Sequence, residues 1–210
     1  MGPPGSGKGS NAKLLQQHIN LPHLSTGDIF RQEVNNKTPL GIKIEDTINE
    51  GKLISDELTA ELIEKRIQQQ DCDKGFILDG YPRTVNQAEI LDKIFAKLQI
   101  KDYIVVDLIV DNNVLIKRIL GRYICEKCGA IYNEYFNPPK VKGVCDICGN
   151  INFIKRKDDN EETITKRLSI YKNETVPVLQ YYQQVGKLFE VDGLLPNEDI
   201  VQNILYILNK

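Results

Sequence analysis

The feature that most constrains this chain stands at its start, in the run Gly2-Pro3-Pro4-Gly5-Ser6-Gly7-Lys8-Gly9-Ser10. Glycines at this density leave backbone N–H groups free to converge on an anion. The apolar positions Ala12, Leu14, Leu15 and Ile19 that follow predict a helix whose positive dipole end points at the same place. Lys8 can then reach the outer phosphates of a nucleotide, and Ser10 can offer its hydroxyl to magnesium. In the strict phosphate-loop pattern a Ser or Thr directly follows the Lys. Here Gly9 intervenes and the hydroxyl comes one residue later. An ordinary Gly/Pro turn would have no use for Lys8.

At 210 residues the chain has the length of one compact domain with room for a small insertion. Lys and Arg total 27 against 29 Asp and Glu, and a net charge of −2 argues against a mainly electrostatic nucleic-acid or membrane binder. No apolar run is long enough to cross a membrane, and the N-terminus lacks the pattern of a secretory signal, so the expected location is the cytoplasm. Four of the five cysteines fall in two close pairs. That arrangement suits metal binding in a reducing compartment better than disulfides.

Short apolar runs alternate with amphipathic ones, the pattern of an α/β chain with a parallel sheet flanked by helices. Strands are predicted at 23–25, 75–79, 103–110 and 188–191. Helices are predicted at 27–34, 55–70, 85–98, 112–121, 161–184 and 196–208. Ser55, Asp56 and Asp111 stand where helix caps belong, and Pro177 should kink or divide the long penultimate helix. Residues 123–159 break the pattern, being rich in Cys, Gly, Pro and Asn, and read as an inserted subdomain. Within it Cys125 and Cys128 form one C-x2-C pair, and Cys145 and Cys148 a second. Gly129 and Gly149 follow the pairs and permit tight knuckles. Four thiolates leave no open coordination position, so the expected zinc is structural. It would hold together a segment too small for a core of its own. Cys72 reads as a small buried filler.

Three further stretches suit an acceptor site. Thr26 lies at a turn into a helix with Arg31 about one turn on, and Lys52, Leu53 and Ile54 sit in a loop before the next helix. The run Asp79-Gly80-Tyr81-Pro82-Arg83 ends a buried strand with a carboxylate, a turn and a guanidinium. Asp79 is placed to orient magnesium-bound water. Arg83 offers a bidentate phosphate clamp, and Gln87 follows four residues later. Arg118 and Arg122, spaced i, i+4, precede the cysteine segment, while Arg156 and Arg167 follow it. Guanidinium groups at both hinges of an insert can neutralise a phosphoryl group in flight once water is excluded. The bland alternative is a solvated basic face paired with Asp158 and Asp159.

With these residues in view, the chain resembles the adenylate kinase family of nucleoside monophosphate kinases, in its long-lid form with a zinc-binding lid. The displaced hydroxyl of Ser10 looks like that family's variant of the phosphate loop. The resemblance spans essentially the whole sequence. It implies a five-stranded parallel sheet in a core of residues 1–122 and 160–210, an AMP-binding helical insert at 25–54 and a mobile lid at 123–159. It also implies magnesium-dependent transfer from ATP to AMP giving two ADP, by a monomer that binds no nucleic acid. ATP would meet Gly5, Ser6, Gly7, Lys8, Gly9, Ser10, Arg118, Arg122, Ile131, Tyr132 and Leu195. AMP would meet Thr26, Arg31, Lys52, Leu53, Ile54, Gly80, Tyr81, Pro82, Arg83, Gln87, Arg156 and Arg167. Lys8, Arg83, Arg122, Arg156 and Arg167 would serve the transfer itself, with Ser10 and Asp79 reaching magnesium through water.

Ser10, Asn11, Tyr81 and Tyr123 depart from the family's commonest residues without removing a chemical part. Thr26 favours AMP, since related uridylate kinases tend to carry Ala there. The family's first strand is central and runs into the phosphate loop, yet only Met1 precedes Gly2. Losing such a strand would remove four or five buried apolar side chains worth about 1.5–3 kcal/mol each. The expectation is therefore that the sequence starts a few residues late, at an internal Met; intact-mass analysis of the native protein tests it. The competing functions are the same chemistry with GTP as donor or UMP or CMP as acceptor, a non-catalytic zinc-ribbon protein binding nucleic acid, or a kinase that has lost its activity.

Overall fold

A computed structural model describes residues 1–209. Helix α1 (Lys8–Ile19) begins directly after Gly7, whose φ of 96° is the left-handed turn that ends the glycine loop. Lys8, Gly9 and Ser10 therefore lie inside the first helical turn. Strand β1 (His23–Ser25) leads into α2 (Thr26–Asn35), capped by the Ser25 hydroxyl, which accepts a hydrogen bond from the Asp28 N–H at 3.2 Å. A helix outside those expected follows, α3 (Pro39–Asn49). Its start combines a Thr38 cap on the Gly41 N–H at 3.0 Å with Pro39 in the first turn, a signal the sequence did carry. A Cβ on Gly41 would lie 2.0 Å from the Glu33 carbonyl oxygen, so only glycine lets α3 close on the end of α2.

The remaining order is α4 (Asp56–Ile67), β2 (Ile77–Asp79), α5 (Val85–Lys97), β3 (Val105–Ile109) and α6 (Asn112–Leu120). Then come β4 (Arg122–Cys125), β5 (Ile131–Asn133) and β6 (Phe153–Ile154), followed by α7 (Glu161–Ile170). A π-helical turn at Tyr171–Thr175 joins α7 to α8 (Val176–Gln184), which carries Pro177 in its first turn. The long penultimate helix is thus divided, as Pro177 leads one to expect, where proline removes a backbone donor and crowds the preceding turn. Strand β7 (Leu188–Asp192) and α9 (Asn197–Leu208) close the chain.

Strands β1 and β2 pair in parallel with Ser25 opposite Asp79, and β3 pairs in parallel with β7. The Met1 main chain runs alongside β3. Its amino group bonds the Val106 carbonyl and its own carbonyl accepts from the Leu108 N–H at 3.2 Å. A mainly apolar cavity of about 240 Å³, lined by Leu15, Ile77, Val106, Leu108 and Ile204, lies alongside. Helices cover the strands on both faces. Leu24, Ile63, Leu91, Ile94 and Phe95 bury one core, and Leu15, Leu108, Val191, Ile200 and Val201 bury another. This packing brings the C-terminal strand ends, with Ser25 and Asp79, up to the glycine loop, the customary ligand side of an open parallel sheet. Strands β5-β4-β6 form a separate antiparallel sheet around the cysteines. Among the described residues no helix is long and apolar enough to cross a membrane.

Candidate active site

The loop owes its shape to close packing. Gly5 has φ 83°, and a Cβ there would lie 2.8 Å from Ile119 Cγ1 and 3.0 Å from the Leu115 carbonyl oxygen. Lys8 folds back along the loop, donating from Nζ to the carbonyls of Gly2 at 2.7 Å and Pro3 at 2.8 Å. Burial pushes its ammonium down to about 8, with Arg83 and Arg167 adding to the effect and Asp79 opposing it. Asp79 ends β2 close to the start of α1, where a Cβ on Gly9 would lie 3.5 Å from its Oδ2. His23 Nε2 meets the same oxygen at 3.2 Å. Burial alone would raise the Asp79 carboxyl, but the His23 bond and the nearby Lys8 charge outweigh it and hold the group below its ordinary value.

A cleft of about 650 Å³ opens over the loop, within the range of ligand pockets. Of the expected donor-side residues, Gly5, Gly7, Lys8, Gly9 and Ser10 line it from below. Arg118, Arg122, Ile131, Tyr132 and Leu195 line it from α6, the lid and the approach to α9. Ser6 does not line it. Its side chain is buried, and its carbonyl accepts from Arg118 at 3.4 Å. Arg118 also donates to the Gly193 carbonyl at 2.9 Å and lies over the Phe136 ring at 5.6 Å, a neighbour that no local pattern signals.

The acceptor-side residues divide between two spaces. Arg31, Leu53, Gly80, Tyr81, Pro82, Arg83, Arg156 and Arg167 line the large cleft. Thr26, Lys52, Ile54 and Gln87 line an adjoining recess of about 70 Å³, which also touches Leu53, Gly80, Arg83 and Arg167. Thr26 is buried and donates to the Gly80 carbonyl at 2.9 Å, while Lys52 points outward and pairs with Glu50 at 2.5 Å. Arg83 donates from Nε to the Gly80 carbonyl at 2.7 Å, and burial draws its guanidinium down to about 10.

The other arginines meet acids whose role the sequence left open. Arg122 forms a fork on Asp159 (2.8 and 2.5 Å), and Arg167 bonds Asp158 at 2.9 Å. Asp28 accepts from Arg31 at 2.6 Å and lies 3.5 Å from Arg156, so one carboxylate on α2 joins the acceptor side to the end of the lid. Burial lowers Arg156 to about 10, the surrounding arginines adding to the shift. Asp28 and Arg31 form an ordinary i, i+3 pair, but no local pattern marks Asp28 as a neighbour of Arg156 or His23 as a partner of Asp79, because those contacts lie far along the chain.

In the lid all four cysteine sulfurs lie within 4.8 Å of one another. Cys125 and Cys148 are 3.6 Å apart, and Cys128 and Cys145 are 3.5 Å apart. A tetrahedral zinc with bonds near 2.3 Å would set sulfurs roughly 3.8 Å apart, so the donor set fits that ion. Asn150 donates to Cys125 Sγ at 3.5 Å, and Tyr132 lies 3.3 Å from Cys145 Sγ. Such outer contacts orient metal-binding thiolates.

Cations from the loop, β2–α5, α6 and α7 thus face one cleft, and the chemistry such a cleft favours is spreading charge over phosphoryl oxygens. Fold and site together define a P-loop phosphotransferase. The adenylate kinase family model matches residues 1–187. Curated adenylate kinases are similar over nearly their whole lengths. That of Thermosipho melanesiensis is 44% identical over 210 residues, covering 100% of this chain and 98% of the relative. That of Finegoldia magna is 45% identical (100% and 97% covered), and that of Clostridium tetani 42% (99% and 96%). The chain belongs to the adenylate kinase family, and its chemistry is phosphoryl transfer involving a nucleoside monophosphate.

Proposed function

We propose that this enzyme catalyses the reversible, magnesium-dependent reaction ATP + AMP ⇌ 2 ADP. The observation that carries the reading is the meeting of two spaces at one set of cations. A loop-lined cleft and a Gln87-lined recess share Arg31, Arg83 and Arg167 along their common wall. A donor held on Gly5 to Ser10 and an acceptor held by Thr26, Leu53, Ile54 and Gln87 would bring their phosphates together there. Lys8 and the guanidiniums of Arg83, Arg122, Arg156 and Arg167 then stabilise charge on the oxygens of the transferring group. The acceptor phosphate oxygen attacks in line, the bond to the leaving ADP breaks, and no covalent enzyme intermediate is needed. Closing residues 123–159 over the site excludes the water that would otherwise hydrolyse ATP.

Ser10 and Asp79 suit a water-coordinated magnesium, two oxygen donors beside the loop with Asp79 kept ionised. When bound, that ion would neutralise part of the triphosphate charge. Zinc on the four lid cysteines would keep the cover folded, as a closed site that takes no part in the reaction. The working form on this reading is a cytoplasmic monomer. A panel of MgATP or MgGTP with AMP, UMP, CMP or GMP tests the assignment by product analysis. ADP formed at comparable rates from ATP and AMP supports it, whereas preference for UMP or CMP would transfer the chain to the neighbouring specificity.

A further inference from the structure

Gln87 is a buried amide, 2% exposed, whose orientation is fixed by two groups of opposite kind. Its Nε2 donates to Asp56 Oδ1 at 2.8 Å, and its Oε1 accepts from the Arg83 backbone N–H at 2.7 Å. An ionised carboxylate cannot donate and a backbone N–H cannot accept, so the flipped amide would face two repulsive contacts. Asp56 is held in turn. Its Oδ2 accepts from Thr84 Oγ1 at 3.0 Å and Asn86 Nδ2 at 2.8 Å. Thr84 also caps α5 by accepting the Gln87 N–H at 3.1 Å, and the Tyr81 hydroxyl donates to the Gln87 carbonyl at 3.2 Å. Backbone and side chain of Gln87 are therefore both pinned through the first residue of α4.

An amide carries two donors and two acceptor lone pairs. With one of each used internally, Gln87 has one N–H and one lone pair left, in a fixed left-to-right order, at the wall of the recess. Adenine offers N1 as acceptor beside the N6 donor. Hypoxanthine offers the reverse, an N1–H beside the O6 acceptor. A freely turning amide would serve both bases, and a locked one serves only the order it matches. We infer that Asp56 is a specificity-determining positioning residue, which acts through Gln87 to select a 6-amino over a 6-oxo purine in the acceptor. This rests on the proposed reading of AMP as acceptor.

The test compares kcat/KM for AMP and IMP, together with their equilibrium affinities, in the wild type, Asp56→Ala, Gln87→Ala and the double variant. The AMP-to-IMP ratio is expected to fall about tenfold in Asp56→Ala, through KM rather than kcat. It should fall similarly in Gln87→Ala, with no further loss in the double variant beyond about twofold. Asp56→Leu, close in shape to Asp, carries the same readout if the alanine variant does not fold. A wild-type ratio in a folded Asp56 variant overturns the inference, as does an Asp56 effect that persists undiminished when Gln87 is absent. A wild type that prefers IMP or a pyrimidine nucleotide overturns the acceptor reading itself, and this inference with it.

Discussion

Replacing Gly5 with alanine should distort the phosphate loop for two separable reasons. The first is conformational: φ is 83°, a region that costs an L-residue roughly 1–2 kcal/mol. The second is collision. The new methyl would stand 2.8 Å from Ile119 Cγ1, a fully buried side chain on α6, and 3.0 Å from the Leu115 carbonyl oxygen. Overpacking of that kind costs about 1–3 kcal/mol. Gly186 supplies the control, because its φ of 69° is similar while nothing lies within 4 Å of a Cβ built there. Gly186→Ala should therefore cost only the conformational part, and Gly5→Ala about 2–5 kcal/mol. At about 2–4 °C per kcal/mol for a chain of this size, the two melting temperatures should separate clearly in a calorimetric scan. ATP affinity, measured by titration calorimetry below both transitions, should weaken in Gly5→Ala and stay at the wild-type value in Gly186→Ala. Equal losses of melting temperature would refute the claim that close packing on α6 shapes the loop.

Lys8 ties nucleotide binding to pH. Its folded-state value of about 8 lies below the ordinary 10.5, so between these the unfolded chain binds the extra proton and this group's stability contribution rises with pH. Phosphate binding needs the charged form, so ATP affinity should fall as pH rises through about 8; a titration flat from pH 7 to 9 would refute this. Stripping the metal from the lid with a chelator should lower the melting temperature before it lowers turnover at low temperature, and an unshifted melt would remove the structural role given to zinc. Arg122→Lys keeps the charge but loses the fork on Asp159, and kcat should drop about 100-fold; a drop under threefold would take Arg122 out of the transfer machinery.

Much of this architecture was legible locally. The glycine run and Lys8 announce an anion-binding turn by composition alone, and the two C-x2-C pairs announce a metal because spacing is all that a knuckle requires. Helix α3 was legible too, through Thr38 and Pro39, but its apolar residues Leu40, Ile42, Ile44 and Ile48 sit in a short polar stretch that reads as loop. Ile42 does remain exposed. The break in the penultimate helix was legible from Pro177, although its form as a π turn at Tyr171–Thr175 was not. The acids that hold the arginines were the hardest to assign. Asp28 looks like an ordinary first-turn residue of α2, and only the fold brings it to Arg156. Likewise Asp56 looks like a helix start, which it is, and its hold on Gln87 follows from α4 and α5 meeting at their N-terminal ends.

The central claim is that two nucleotides meet at the shared arginine wall and exchange a phosphoryl group directly. The most direct measurement follows ATP whose γ-phosphoryl oxygens carry oxygen-18, with AMP and magnesium, by the isotope shift it produces in phosphorus NMR. The account predicts the label in the β-position of newly formed ADP, at a rate that depends on AMP. Label released as inorganic phosphate, or retained in ATP by folded, zinc-loaded protein, would contradict it.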